Sequence, residues 1–150
     1  MVAQNAQGKL MGVRVYTGGT FDLFHSGHVN FLRRCSEMGH VTVALNTDEF
    51  IAAYKGQAPI MSYNQRKAVL EACRYVDKVV ANTHGADSKP SIIQANPDLI
   101  VIGSDWARKD YYAQMQFDQD WLDQHGIGLC YIPYTDQIST TILKQRARVE

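Results

Sequence analysis

Thr17-Gly18-Gly19-Thr20-Phe21-Asp22-Leu23-Phe24-His25-Ser26-Gly27-His28 is the stretch on which the reading of this chain turns. It begins where an apolar run containing Val13 and Val15 ends, and it finishes where Val29, Leu32 and Cys35 start to recur at helical spacing. A strand therefore feeds a helix through a polar, glycine-bearing junction. The first turn of a helix presents unpaired backbone N–H groups and a partial positive charge, and so receives phosphate. Glycines let the backbone approach a ligand closely. Two histidines flanking Gly27 place two imidazole donors at that junction. The run points to a nucleoside triphosphate site able to stabilise charge during transfer. The plainer alternative is a strand-to-helix turn in which His28 caps the helix and His25 is a polar loop residue.

Working outward, apolar runs alternate with helical patterns, the signature of βαβ units and a parallel sheet. Strands are predicted at Val13–Thr17, Val41–Asn46, Lys78–Ala81, Leu99–Ile102 and Leu129–Ile132. The first helix is predicted from His28 to Met38, with Gly39 as its stop. A loop carrying Lys55, Gly56 and Pro59 follows the second strand. Ser62-Tyr63-Asn64-Gln65 is a capping box that opens a helix reaching Tyr75. Ser88 and Pro90 start another helix, Phe117–His125 is a further one, and Ser139 caps a last helix over Thr140–Ala147. The segment from Ser104 to Gln116 has no clear pattern. The fold class predicted is α/β: a single Rossmann-like three-layer domain with a five-stranded parallel sheet, spanning 11–150 behind a flexible N-terminal tail at 1–10. In such sheets ligands lie beyond the carboxyl ends of the strands. Thr17–His28, Asp48, Gly103–Trp106 and Tyr134–Thr140 all fall on that rim.

The 150 residues suffice for one domain with a real core. Apolar residues make up 45% and charged residues 20%, as in ordinary globular proteins. Fifteen basic and fifteen acidic side chains cancel, which argues against nucleic acid as a partner. No apolar run approaches membrane-spanning length, and the polar N-terminus lacks the core of a secretory signal, so a cytoplasmic location is expected. Cys35, Cys73 and Cys130 are odd in number and lack metal spacing, and they read as small buried hydrophobes of a reducing compartment. His40, His84 and His125 have no motif around them.

The string Gly19-Thr20-Phe21-Asp22 followed by His25-Ser26-Gly27-His28 resembles the nucleotidyltransferase superfamily that carries His-x-Gly-His. That group includes the cytidylyltransferases for glycerol phosphate, choline phosphate and ethanolamine phosphate. The likeness runs from Val13 to about Lys144 and is nearest to the glycerol 3-phosphate cytidylyltransferases. Lys55-Gly56-Gln57-Ala58-Pro59-Ile60-Met61 resembles the Lys-Gly-x-x-Pro-x-Met loop of related enzymes, whose lysine contacts phosphate. Arg74-Tyr75-Val76-Asp77 matches Arg-Tyr-Val-Asp. Gly103-Ser104-Asp105-Trp106 resembles Gly-Asp-Asp-Trp, with Ser104 in place of the first acid. Thr135-Asp136-Gln137-Ile138-Ser139-Thr140-Thr141 resembles Thr-x-Gly-Ile-Ser-Thr-Thr. Two departures stand there: Tyr134 where the family has an arginine that contacts phosphate, and Gln137 where it has glycine.

The resemblance implies transfer of CMP from CTP to a small phosphorylated alcohol, glycerol 3-phosphate first among them, with release of pyrophosphate. It assigns catalysis to His25, His28, Lys55 and Arg66. Nucleotide contacts fall to Thr17, Gly19, Thr20, Phe21, the two histidines, Gly103, Asp105, Trp106, Ser139 and Thr140. Asp22, Asp48, Lys55, Arg74 and Asp77 are expected near the substrate, with Arg66 and Arg74 sharing a helix face two turns apart. The acceptor phosphate is largely dianionic at neutral pH, because its second pKa is about 6, and needs no general base. Mg²⁺ is expected as cofactor, bridging triphosphate oxygens with few protein ligands. Lys144 and Arg146 are candidate replacements for the charge absent at Tyr134. A homodimer is implied through the region of Arg74 and Asp77. Two other readings stay open: adenylyl transfer to a sugar phosphate, and a nucleotide-binding domain that has lost turnover.

Overall fold

The structure, a computed structural model, describes residues 12–83, 85–104, 111–133 and 138–148. Strands β1 (Arg14–Gly19), β2 (His40–Asn46), β3 (Lys78–Asn82), β4 (Leu99–Gly103) and β5 (Gly128–Ile132) form one sheet in the order β3-β2-β1-β4-β5. Every pairing is parallel. The predicted α/β architecture with five parallel strands is therefore present. Its helices are α1 (Ser26–Met38), α2 (Asp48–Lys55), α3 (Tyr63–Ala72), α4 (Lys89–Ala95), α5 (Tyr111–Met115), α6 (Gln119–Gln124) and α7 (Thr140–Ala147).

Parallel strands covered on both faces read as near-continuous apolar runs, and Val41, Val43, Ala44 and Leu45 in β2 are all buried. Side chains alternate across the strands. Val15, Val41 and Val43 pack with Leu32 and Cys35 of α1 and Leu70 of α3 on one face. Tyr16, Ala44 and Ile100 pack with Ile92 of α4 and Leu122 of α6 on the other. Strand order reverses between β1 and β4, so the crevice above their carboxyl ends is the switch point where a ligand sits.

Several boundaries move. β1 runs two residues further than expected, through Gly18 and Gly19, which pair with Ala44 and Leu45 of β2. A helix, α2, comes between β2 and the expected loop, which begins at Gly56. Thr47 caps α2 by accepting the N–H of Phe50 at 3.2 Å, and Gly56 closes it in the left-handed conformation with its N–H on the Ala52 carbonyl. Lys55 is thus the last helical residue and not a loop residue. α3 stops at Ala72, because Cys73 turns to extended backbone (φ −75°, ψ 125°). Arg74 consequently lies beyond the helix and shares no face with Arg66. α6 begins at Gln119, capped by Asp118 on the N–H of Trp121 at 2.8 Å, and is shorter at both ends than predicted. The tail at 1–10 lies outside the described residues. No helix among the described residues is long and apolar enough to cross a membrane.

Candidate active site

A cleft of about 860 Å³ opens above the carboxyl ends of the strands. Its centre is the junction between β1 and α1. His25 is the N-cap of α1, and its Nδ1 accepts the N–H of Gly27 at 3.0 Å. His28 reaches back, and its Nδ1 accepts the N–H of His25 at 3.2 Å. The two histidines thus form a reciprocal capping box, the arrangement usually built from Ser or Thr with Glu or Gln. Their rings stack with centroids 3.8 Å apart. A Cβ on Gly27 would lie 2.8 Å from His25 Cε1, so only glycine lets the His25 ring fold over the helix start.

This geometry fixes the chemistry of both rings. A nitrogen that accepts a backbone N–H carries no proton, so in both neutral rings the proton sits on Nε2. Burial lowers the pKa of His25. Burial, joined by the charge of His25 and opposed by Asp22, pulls His28 down to about 4. Near pH 7 the pair offers two neutral Nε2–H donors at a helix start.

The approach to that pair is strained and braced. Phe21 and Leu23 adopt left-handed backbone (φ 51° and 49°), which side chains other than glycine rarely take. Asp22 between them is 4% exposed. Its carboxylate accepts the N–H groups of Leu23 (3.1 Å), Ile60 (2.8 Å) and Met61 (2.9 Å). Arg66 is fully buried, and its guanidinium donates to the carbonyls of Met61, Thr20 and Asn46 at 2.9–3.0 Å and to Asp48 Oδ1 at 2.6 Å. Asp48 also accepts the N–H of Tyr63 at 3.1 Å. Asp22, Asp48 and Arg66 therefore hold the loop after β1, the start of α2 and the start of α3 in one frame. Asp22 faces the cleft, whereas Arg66 and Asp48 stand behind its wall.

The start of α7 lines the same cleft, close against the β1–α1 junction. Ser139 caps it by accepting the N–H of Ile142 at 3.1 Å, and the Thr140 hydroxyl donates to the carbonyl of Asp22 at 2.7 Å. Thr140 spends its proton on the loop, which leaves the Ser139 hydroxyl and backbone N–H groups of the first turn among the donors at this helix start. Lys144, one turn on, lines the cleft 3.9 Å from Asp22 Oδ2. Lys55 lines the cleft as well, together with Thr17, Gly19, Thr20, Phe21 and Gly103 at the strand ends.

The cleft thus lies at the switch point, lined by the glycine-rich end of β1 and by two helix starts, and comparisons with known proteins give the family. Residues 16–146 fit the description of the cytidylyltransferase-like family. The chain belongs to that family. It is 38% identical over 133 residues to the glycerol-3-phosphate cytidylyltransferase of Bacillus subtilis, spanning 88% of this chain and 95% of that protein. It is 42% identical over 135 residues to the FAD synthase of Pyrococcus horikoshii, spanning 89% and 91%. Among solved structures it resembles a lipopolysaccharide core biosynthesis protein from Thermoplasma volcanium, with a TM-score of 0.66 and 26% identity over 83% of this chain and 98% of that one. The chain is thus a nucleotidyltransferase of the cytidylyltransferase-like family.

Within that family frame, some expected site residues do not reach the cleft. Arg66 was expected to meet phosphate, but it is fully buried outside the cleft lining, and four of its five N–H donors go to carbonyls and Asp48. Asp48 was expected near the substrate, but its carboxylate serves Arg66 and the α3 start. Asp77 accepts the N–H of Val41 at 2.8 Å at the amino end of β2, the opposite end of the sheet from the cleft. Arg74 is exposed with its guanidinium 5.9 Å from the Tyr75 ring, outside the cleft lining. Asp105, Trp106, Tyr134 and Gln137 lie outside the described residues.

Other residues reach the cleft without having been foreseen. Asn46 and Asn82 end β2 and β3 and line its floor. Phe50 and Tyr54 of α2 stack in parallel with centroids 5.9 Å apart beside Lys55, and Tyr54 is 55% exposed. The sequence signal for the aromatic pair was their spacing of four, which becomes visible only once α2 is recognised as a helix.

Proposed function

We propose that the protein transfers CMP from CTP to the phosphate of a small phosphorylated alcohol, glycerol 3-phosphate being the first acceptor to test. The observation that carries this reading is the pair of neutral, Nε2-protonated histidines at the start of α1, beside the start of α7 in the same cleft. An acceptor phosphate oxygen attacks the α-phosphorus of the nucleotide. The bond from that phosphorus to the bridging oxygen breaks, and pyrophosphate leaves. A dianionic phosphate is already a nucleophile, so the site is asked only for in-line positioning and for donors that follow the developing charge. His25 and His28 supply two such donors without a proton transfer. The N–H groups at the start of α7 and Lys144 hold the β- and γ-phosphates, and Lys55 draws the acceptor phosphate toward them.

Mg²⁺ belongs to this reading as an ion carried by the triphosphate. Among the described residues no three His, Cys, Asp or Glu side chains cluster to hold a metal, and the Asp22 carboxylate is already committed to three N–H groups. The described residues therefore do not fit a resident metal site, and no step is assigned to one. A homodimer is proposed as the working assembly, to be checked by light scattering.

A second reading is adenylyl transfer. Its support is the likeness to FAD synthases, together with the flat Phe50–Tyr54 ring pair beside Lys55, which suits an acceptor with a planar body. Pyrophosphate release measured with CTP and ATP against a panel of phosphorylated alcohols and sugars separates the two, with FAD formation assayed alongside. CTP turnover with glycerol 3-phosphate is the expected result. Turnover with ATP alone overturns the cytidylyl reading, and nucleotide binding without pyrophosphate release overturns both.

A further inference from the structure

Four polar side chains, from the ends of β1, β2 and β3 and from α4, form one hydrogen-bonded line across the carboxyl end of the sheet. Ser91 Oγ on α4 donates to Asn82 Oδ1 at the end of β3 (3.3 Å). Asn82 Nδ2 donates to Asn46 Oδ1 at the end of β2 (3.0 Å). Asn46 Nδ2 donates to Thr20 Oγ1 just after β1 (3.2 Å). Asn82 and Ser91 are 7% and 3% exposed, while Thr20, Asn46 and Asn82 border the cleft. Each amide points the same way, so the line has a polarity that begins at the buried serine and ends at the threonine.

That polarity decides what Thr20 presents to a ligand. A hydroxyl has one proton to give and lone pairs to receive with. Because Asn46 donates to Thr20 Oγ1, one lone pair is occupied and the proton is not spent on Asn46, so it is available to a ligand in the cleft that Thr20 borders. Were the line reversed, Thr20 would give its proton to Asn46 and turn lone pairs toward an incoming anion. Two backbone acceptors of the same frame, the carbonyls of Thr20 and Asn46, already receive Arg66 Nη1.

We propose that Ser91, Asn82 and Asn46 are positioning residues whose common polarity sets the Thr20 hydroxyl as a hydrogen-bond donor to a phosphate of the bound nucleotide. The proposal rests on the reading of the cleft as a triphosphate site. It assigns a task to Asn46, Asn82 and Ser91 that no motif in the chain marks.

The test is calorimetric titration of the whole protein with CTP and, in parallel, ATP in the presence of Mg²⁺, together with melting curves for every variant. Thr20→Val should weaken the nucleotide that the wild type binds by about tenfold or more, the loss of one hydrogen bond to a charged group. Thr20→Ser should bind as the wild type does. Asn82→Asp replaces the donor nitrogen with an acceptor, which turns the Asn46 amide round and draws the Thr20 proton onto Asn46. It should weaken binding nearly as much as Thr20→Val. In the Thr20→Val background the same change should add less than about twofold, because coupled residues are non-additive. Ser91→Ala carries the test if Asn82→Asp melts early: it frees the start of the line and should give a smaller loss that also vanishes beside Thr20→Val. Losses that multiply independently overturn the proposal while leaving the triphosphate site standing. Normal binding of both nucleotides by Thr20→Val, or no binding by the wild type, overturns the proposal and the assignment of Thr20 to phosphate together.

Discussion

His28 Nδ1 accepts the backbone N–H of His25, the residue that itself caps α1 through its own Nδ1. One nitrogen of each ring is therefore structural, and the other is left for a ligand. The capping role, which looks like a rival of phosphate binding in the sequence, uses one edge of each ring, and the phosphate contact proposed for the pair would fall to the other.

Those edges can be separated by substitution. Asparagine has an acceptor oxygen close to the position of Nδ1 and nothing at Nε2, and it is among the best N-cap residues. His25→Asn should therefore melt close to the wild type. His25→Ala should lose about 1 kcal/mol with the cap. Both should lower kcat by roughly 10²-fold or more, comparable to removing one oxyanion-hole donor. Turnover near normal in His25→Asn would remove the Nε2–H from the chemistry.

The burial of His28 makes stability pH-dependent. His28 titrates near 4 in the folded protein against 6.5 for an ordinary histidine, with burial the main cause. As pH falls through about 6.5 the unfolded chain takes up a proton that the folded protein refuses. Stability should then decline between about pH 6.5 and 4, by roughly 2–3 kcal/mol over the window, and should not change from this group above pH 7. Melting temperatures from pH 7.5 to 4.5 measure it. His28→Asn, which has no titrating ring, should flatten the curve, and an unchanged slope in that variant would place the effect elsewhere.

Arg66 separates a structural arginine from a phosphate-binding one. It is fully buried and joins Asp48 to the carbonyls of Thr20, Asn46 and Met61. Asp48 keeps 37% of its side chain exposed and can turn to water, so removing the guanidinium costs chiefly the hydrogen bonds to the three carbonyls, roughly 1–3 kcal/mol. Arg66→Ala should show chiefly as a fall in melting temperature. Arg66→Lys keeps the charge but loses the planar fork that reaches four acceptors, and it should also be destabilised. A variant that melts normally yet fails to bind nucleotide would return Arg66 to the ligand.

The sheet, its parallel sense and the glycine-rich junction were legible because buried strands and a strand-to-helix turn leave local signatures. α2 was not read, although Thr47, the acids Asp48 and Glu49, and Gly56 are proper start and stop signals; the Lys55-Gly56 pair drew the reading toward a loop. The end of α3 was missed because nothing in Arg74-Tyr75-Val76-Asp77 forbids another helical turn. Arg66 looked like a phosphate ligand because an arginine on a rim helix has the same letters whether it points into a cleft or behind it. Asn46 and Asn82 carried no signal at all, since their contact joins residues 36 positions apart.

Tyr16 is buried completely in β1, and its hydroxyl has no hydrogen-bond partner among the described residues. A buried unsatisfied hydroxyl costs about 1–3 kcal/mol. Tyr16→Phe keeps the ring in its place among Ile92, Ile100 and Leu122 and removes the orphan oxygen. It should raise stability by about 1 kcal/mol in chemical denaturation, with the slope unchanged. A loss of stability would reveal a partner for the oxygen.

The charge absent at Tyr134 is expected to be met by Lys144. This lysine lines the cleft one turn into α7 and lies 3.9 Å from Asp22, whereas Arg146 is exposed and outside the lining. A lysine there acts as a point charge near the triphosphate and lacks the bidentate geometry of an arginine. Lys144→Ala should weaken CTP by about tenfold, the equivalent of one charge-assisted contact, and should reduce the salt dependence of binding. Arg146→Ala should leave affinity unchanged. Tyr134→Arg should recover affinity in the Lys144→Ala background more than in the wild type, because two cations beside one triphosphate partly compete. Titration of the four proteins at low and moderate salt decides it: a loss in Arg146→Ala equal to that in Lys144→Ala would move the compensating charge to the outer face of α7.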